Sequence, residues 1–294
     1  MSYYSYNPPQ QPAYDMPSFS KYRTIFLRVG AAATVAGICY LNSDRYKAFS
    51  SWTSNYEPSA CAKWDDNWDH RAPQYIRSTK TKVSRKDENN NEDISKYTPT
   101  SCRHLILIRH GQYNLDGQTD KERYLTKLGR LQAEYTGKRL VELGLPYTEL
   151  VKSTMTRAQE TGTIIQQFLP NVPVHYCDLL REGAPIPPEP PLGSYKPERY
   201  KFFEDGARIE AAFRKYFHRA DPHQTEDSYH VLVCHANVIR YLVCRALQIP
   251  AEAWLRFSLN HASITWISIT PGGRCVVRTL GEAGFMPVNV ISST

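Results

Sequence analysis

The sequence has no disulfide or zinc pattern. Its seven cysteines, Cys39, Cys61, Cys102, Cys177, Cys234, Cys244 and Cys275, are odd in number, scattered and never paired as CxxC, so they are expected to be reduced and structural. HExxH, EF-hand, P-loop and dinucleotide glycine patterns are missing too, which removes weight from metal and nucleotide mechanisms. No metal and no cofactor are expected. There is no internal repeat, and 294 residues suffice for one domain with a full core plus appended segments. The net charge of +7 suits a phosphate-bearing substrate, an anionic membrane surface or nucleic acid, so where the charge sits has to decide.

Long apolar runs are equally scarce. The one candidate is 25-IFLRVGAAATVAGICYL-41, with Arg28 as its only charge. Its strongly apolar residues, at about −0.3 to −0.6 kcal/mol each, roughly balance an arginine at about +2.5 to +3.5 at mid-bilayer, and an arginine near the end can snorkel. Lys21, Arg23 and Arg28, with no acidic residue between Asp15 and Asp44, fit a mitochondrial targeting flank. Residues 24–42 are therefore expected to be a membrane anchor and targeting segment, and residues 1–23, rich in Tyr, Pro, Ser and Gln, a disordered tail. Residues 43–100 are expected to form a linker that contains 64-WDDNWDHRAP-73. That peptide is either a solvated turn with one core tryptophan or a docking peptide, because paired tryptophans outside a core need somewhere to bury.

From residue 101 to 294 the pattern changes. Short apolar strands, HLILI, ELVKS, VPVHYC and HVLVC, alternate with helical periodicity over 126–143, 156–169, 204–220 and 237–247. The alternation predicts an α/β fold with a largely parallel central sheet and helices on both faces. Thr126 is expected to cap a helix whose apolar face is Leu128, Leu131 and Tyr135 and which ends at Gly144. SITWISIT and RCVVRTLG, joined at Pro271, Gly272 and Gly273, predict a terminal hairpin.

Ligands bind at the carboxyl ends of strands in open α/β sheets, and two apolar runs end there in Arg109, His110 and His235. Arg157, in 153-STMTRAQET-161, is expected at a helix start, where free amide donors favour an anion. Glu182 follows in 178-DLLREGAP-185. Two arginines, two histidines and a carboxylate suit a phosphate monoester, since guanidinium forks pair with phosphate oxygens. The arginines should keep His110 neutral and nucleophilic by like-charge repulsion, a protonated His235 would stabilise the equatorial oxygens, and Glu182 would serve as proton donor. A competing reading uses Cys234 and Arg240 in 234-CHANVIR-240, the Cys-x5-Arg spacing of thiol phosphatases, although an apolar strand would raise the thiol pKa.

With these residues in view, the chain from about 101 to 294 resembles the histidine phosphatase superfamily, also called phosphoglycerate mutase-like. RHG at 109–111, STMTRAQET, LLREG and CHANVIR match its motifs in order. RHGQY, LLREGAPI, 204-EDGARIEAAFR-214, HANVIRY, 284-GFMP-287 and the WDDNWDHRAP peptide resemble its mitochondrial serine/threonine phosphatases in particular. The resemblance implies the three-layer phosphoglycerate mutase-like fold after one amino-terminal membrane helix, with a phosphohistidine on His110. It implies that Arg109, Arg157 and His235 hold phosphate and that Glu182 donates the proton. Phosphoserine and phosphothreonine proteins are the implied substrates, with no nucleic-acid partner. It further implies assembly into homo-oligomers through Trp64, Asp65, Asn67, Trp68, Asp69, Arg71 and Pro73. The location implied is the inner mitochondrial membrane, or the outer, with roles in mitochondrial quality control and cell death. Two departures are visible. Tyr113 stands where many members have Ser or Thr, and the NxESGE-type adaptor motif of some mammalian relatives is missing, residues 3–15 reading YYSYNPPQQPAYD. The alternatives are a small-molecule phosphatase or mutase using the same five residues, or a mitochondrial scaffold with a vestigial pocket.

Overall fold

The computed structural model describes residues 63–76 and 94–293. The expected tail over 1–23, the expected anchor over 24–42 and much of the expected linker lie outside these residues. Among the described residues, no helix is long and apolar enough to cross a membrane.

The apolar runs form the strands expected of them, β1 (Arg103–Arg109), β2 (Tyr147–Ser153), β3 (Val174–Cys177) and β4 (Ser228–Cys234). They are followed by the hairpin strands β5 (Ile264–Ile269) and β6 (Cys275–Glu282). The spatial order is β3-β2-β4-β1-β5-β6. The first four strands are mutually parallel, whereas β5 pairs antiparallel with β1 and β6 with β5. The sheet is thus parallel over its first four strands, as expected, and mixed overall because the terminal hairpin adds two antiparallel strands. The outer edge of β1 needs partners for its backbone groups, and a hairpin supplies them without a crossover helix.

The period-two alternation of side chains along a strand assigns the two faces. Leu105, Leu107 and Leu232 pack under α3 (Arg199–Tyr216) and α4 (Ala236–Ala246), with Ile209, Phe213, Val238 and Leu242. Ile106, Ile108, Val231 and Val233 pack under α1 (Lys127–Leu143) and α2 (Thr156–Phe168), with Leu140, Ala158 and Ile165. Burying each such side chain stabilises the fold by about 1.5–3 kcal/mol.

Two expectations about helices are corrected. In α1, Thr126 caps as expected, its side chain accepting from the Gly129 amide, and Gly144 ends the helix at φ 60°. Its buried face, however, is Gly129, Gln132, Ala133, Thr136, Gly137 and Leu140, and Leu131 is exposed. Small residues are required there because a Cβ on Gly137 would overlap the Phe168 ring of α2. Leu128 and Tyr135 pack instead on Met286 and Val290 near the carboxyl terminus. The helix expected over 204–220 runs from Arg199 to Tyr216. Its amino-terminal part displays Phe203 to solvent, 81% exposed, so no apolar periodicity marks the start. Its end falls early because Phe217 turns with extended backbone into the core.

Candidate active site

Strands β1 and β4 are registered so that Arg109 lies opposite Cys234. The next residue of each strand is therefore delivered to the same sheet edge, and the His110 and His235 rings lie 5.1 Å apart between centroids. The His110 amide donates to the Cys234 carbonyl at 3.0 Å, extending the pairing one residue into the site. Glycine follows His110 for a steric reason. A Cβ at Gly111 would collide with the Gly129 carbonyl, and one at Gly129 with the Gln112 carbonyl, so two bare backbones are what allow α1 to start against the loop.

Nδ1 of His110 donates to the Gly111 carbonyl at 2.8 Å, which leaves the Nε2 lone pair open. That lone pair accepts from Nε of Arg157 at 3.2 Å. Arg157 sits in the first turn of α2 with its guanidinium 4.7 Å from the Tyr113 ring centroid, and Asp120 Oδ1 lies 3.7 Å from its Nη1. The first amide of α2 does not face the ligand as expected, because Thr156 N–H is committed to Asp120 Oδ2 at 3.1 Å. The anion contact at this helix belongs to the guanidinium. His235 precedes α4, and its Nε2 is 2.8 Å from the Ser153 hydroxyl at the end of β2.

Burial is the leading reason that His110 stays neutral, ahead of Arg157 and Arg109, and it holds the ring well below the usual histidine range. The arginines act in the expected direction, second to burial. His235 is also pushed well below its usual range, by burial and then by Arg157, so it is neutral where a protonated ring was expected. Glu182 moves the other way. Burial raises its carboxyl pKa against the pull of Arg157 and the hydrogen bonds from the Gly183 and Asn237 amides, so its acid form persists above the usual carboxyl range. Its loop is held by Arg208, which donates to the carbonyls of Leu179, Arg181 and Glu182 and to Asp205.

Three buried nitrogens around His110, namely Arg109 Nε, Arg157 Nη1 and His235 Nδ1, have no hydrogen-bond partner. Arg157 Nη1 has only the loose ion pair with Asp120, and the other two have no partner at all; an unpaired buried polar group costs about 1–3 kcal/mol, so these atoms on neighbouring side chains mark a place for an anion's oxygens. Cys234 is not part of it. Its side chain is fully buried in the core on the α3/α4 face, and burial pushes the thiol pKa up, which removes the thiolate that the Cys-x5-Arg reading needs. Among the described residues, no group of three or more His, Cys, Asp or Glu side chains is arranged to hold a metal ion.

The five residues expected to form the site are thus brought to one sheet edge. Ser153, Tyr113 and Arg208, which help to orient them, lie inside the motifs quoted above without having been given that role, and Asp120 carried no signal in the sequence. The tryptophan peptide lies at the opposite end of the sheet. Trp68 is buried and donates to the Gly273 carbonyl at 2.8 Å, and Asp69 pairs with Arg219 at 2.6 Å in a fully buried ion pair. Asn67 accepts from the Ala72 amide at 3.1 Å, and the Asp65 amide donates to Gln248 at 2.7 Å. Trp64 packs half-buried on the same core, Arg71 is exposed, and Pro73 opens a helical turn over 73–76. The peptide therefore has one core tryptophan and rests on its own domain.

The sequence pattern of the histidine phosphatase superfamily (branch 1) matches residues 105–184 and 192–281. The chain belongs to this superfamily, with its phosphoglycerate mutase-like α/β fold, and is a phosphatase. It is 50% identical over 277 residues to serine/threonine-protein phosphatase Pgam5, mitochondrial, of Drosophila pseudoobscura pseudoobscura, a match covering 93% of this chain and 96% of that protein. Its identity to serine/threonine-protein phosphatase PGAM5, mitochondrial, of Xenopus laevis is 50% over 273 residues, covering 92% and 98%. Among solved structures, a phosphoglycerate mutase from Plasmodium falciparum is 32% identical, covering 62% of this chain and 92% of that one, with a TM-score of 0.45.

Proposed function

We propose that this protein is a mitochondrial serine/threonine-protein phosphatase that hydrolyses phosphoserine and phosphothreonine through a phosphohistidine on His110, with no step that requires a metal. The observation that carries this reading is the set of buried nitrogens without hydrogen-bond partners on Arg109, Arg157 and His235, around an imidazole whose Nε2 is unprotonated and accepts from Arg157 Nε. The names of relatives at about half identity over nearly the whole chain support the substrate class and the compartment.

Incoming phosphate oxygens draw Arg157 Nε–H away from His110 Nε2 and accept from the unpaired donors. With Ser153 donating to His235 Nε2, the Nδ1–H of a neutral His235 faces the phosphate, so that residue binds without carrying charge. Nε2 of His110 attacks phosphorus, the ester P–O bond breaks, and protonated Glu182 gives its proton to the leaving serine or threonine oxygen. The Glu182 carboxylate then takes a proton from water, whose oxygen attacks phosphorus and breaks the P–N bond. Inorganic phosphate and free His110 result. Charge stabilisation by preorganised donors is the main catalytic term in such a scheme.

The proposal extends to assembly through Trp64, Asp65, Asn67, Trp68, Asp69, Arg71 and Pro73, with higher activity in the assembled form. It also includes a membrane anchor over 24–42, in the inner or the outer mitochondrial membrane, and roles in mitochondrial quality control and cell death. The deciding experiment for the chemistry is to react the protein with a phosphothreonine peptide, quench at neutral to alkaline pH and map covalent phosphate by mass spectrometry. Phosphate on His110, absent from His110→Ala and retained in Cys234→Ser, is the expected result. Phosphate on Cys234 would overturn the mechanism, and exchange between phosphoglycerates without net hydrolysis would replace the substrate class.

A further inference from the structure

The Arg109 guanidinium has five N–H groups, and three are already engaged. Nη1 donates to the carbonyls of Leu259 at 2.5 Å and Ser293 at 2.7 Å, and Nη2 donates to Nε2 of His261 at 3.1 Å. Nε–H is buried without an acceptor. Nε and Nη2 share one edge of the fork, and that edge is left for a pair of phosphate oxygens.

His261 is 2% exposed, and its ring centroid lies 5.8 Å from that of His110. Arginine can only donate, so Nε2 of His261 is the acceptor and Nδ1 carries the proton. Nδ1–H then donates to the Ser292 hydroxyl at 2.9 Å, and the His261 amide donates to the Ser292 carbonyl at 2.7 Å. Burial, then Arg109, pushes the ring pKa down to about 3, so the acceptor state holds throughout the neutral range.

The turn carrying this ring is fixed from several sides. Ala262 has φ 53°, an unfavourable conformation for a residue with a Cβ. Its amide donates to the His110 carbonyl at 3.2 Å, and its carbonyl accepts from Thr136 Oγ1 at 2.7 Å. Backbone strain of this kind persists where surrounding contacts over-determine it. The same turn therefore touches the His110 backbone and the Arg109 side chain.

We propose that His261 is a positioning residue of the phosphate site: it holds Nη2 of Arg109, together with the Leu259 and Ser293 carbonyls on Nη1, so that the Nε edge of the guanidinium meets phosphate bound against His110. The inference rests on the phosphate-binding role of Arg109 given above. Its chemistry is a neutral acceptor aimed at a cation, which a glutamine can reproduce and a shorter amide cannot.

The test measures binding of inorganic phosphate to the full chain by calorimetry, alongside Tm and turnover of a phosphothreonine peptide. His261→Gln places an amide oxygen where Nε2 sits, whereas His261→Asn reaches only the Nδ1 position, keeping Ser292 and losing Arg109. Phosphate Kd is expected to weaken about tenfold in His261→Asn and to return to within about threefold of the parent in His261→Gln, with Tm of both close to the parent. In an Arg109→Ala background, His261→Asn should change Kd by less than about twofold, because the two act as a unit. An Asn variant that binds phosphate like the parent, or one that loses as much affinity with Arg109 absent as present, overturns the inference. His261-dependent phosphate binding without peptide hydrolysis would support it while sinking the phosphoprotein reading. A parent that binds no inorganic phosphate would overturn both.

Discussion

At the scale of single residues, the site separates two titrating groups by their surroundings. His110 is kept neutral mainly by burial, and burial raises the Glu182 carboxyl pKa against two arginines. A nucleophile favours the first condition and a general acid the second, so opposite shifts from one cause support the proposed roles. The sign for turnover follows. Glu182 must hold its proton when the ester bond breaks, so kcat/KM on a phosphothreonine peptide should fall as pH rises through its raised pKa. Glu182→Gln should lower kcat on that peptide by about 10²–10³ and flatten this limb. With a nitrophenyl phosphate, whose leaving group needs little protonation, the loss should be much smaller. Comparing the two substrates across pH separates the acid role from a binding role. Equal losses on both would remove Glu182 as acid.

At the scale of elements, the strands and the residues at their ends were legible because parallel strands buried on both faces read as continuous apolar runs. HLILI and HVLVC stop abruptly where they leave the core, and the site begins at those stops. The small-residue face of α1 was not legible, since Gly129, Thr136 and Gly137 have no hydrophobic signal and are selected by closeness of packing. The exposed start of α3 was hidden for the opposite reason, with Phe203 facing solvent. His261 was also missed, because its partners come from opposite ends of the domain and no local spacing encodes them. Gly129 offers a direct check of the packing argument. Gly129→Ala sets a Cβ against the Gln112 carbonyl, so the loop after His110 must shift. Overpacking of this kind costs about 1–3 kcal/mol, and the displacement should reduce kcat/KM more than the loss in Tm alone would suggest. Thermal melts and steady-state kinetics on the same preparation decide it.

For the whole molecule, the buried histidines make stability depend on pH. His110 and His235 lie well below 6.5, His218 is lowered to about 4 and His261 to about 3, with burial the first cause in each case. In the unfolded chain these rings take up protons near pH 6.5 while the folded protein still excludes them. Stability is therefore complete above pH 6.5 and is lost as pH falls toward the folded values, at up to about 1.4 kcal/mol per pH unit for each ring. Glu182, with its raised pKa, contributes in the reverse direction and offsets one ring at most. Urea midpoints measured from pH 7.5 to 5 should decline steadily, and a flat profile would contradict the burial of these rings.

The pairing of β1 with β4 has a kinetic side. Residues 103–109 align with residues 228–234, so the two imidazoles meet only after a chain segment of more than a hundred residues has been closed into parallel register. Loop closure of that length must be met before the contacts that reward it exist, and non-local parallel pairing forms slowly. No fragment ending before β4 contains the centre, and neither half of the chain can nucleate it alone. During synthesis, competence arrives with the last third of the polypeptide. In the finished protein, a local opening that detaches β4 from β1 would silence the enzyme before global unfolding, making activity a reporter of that long-range pairing.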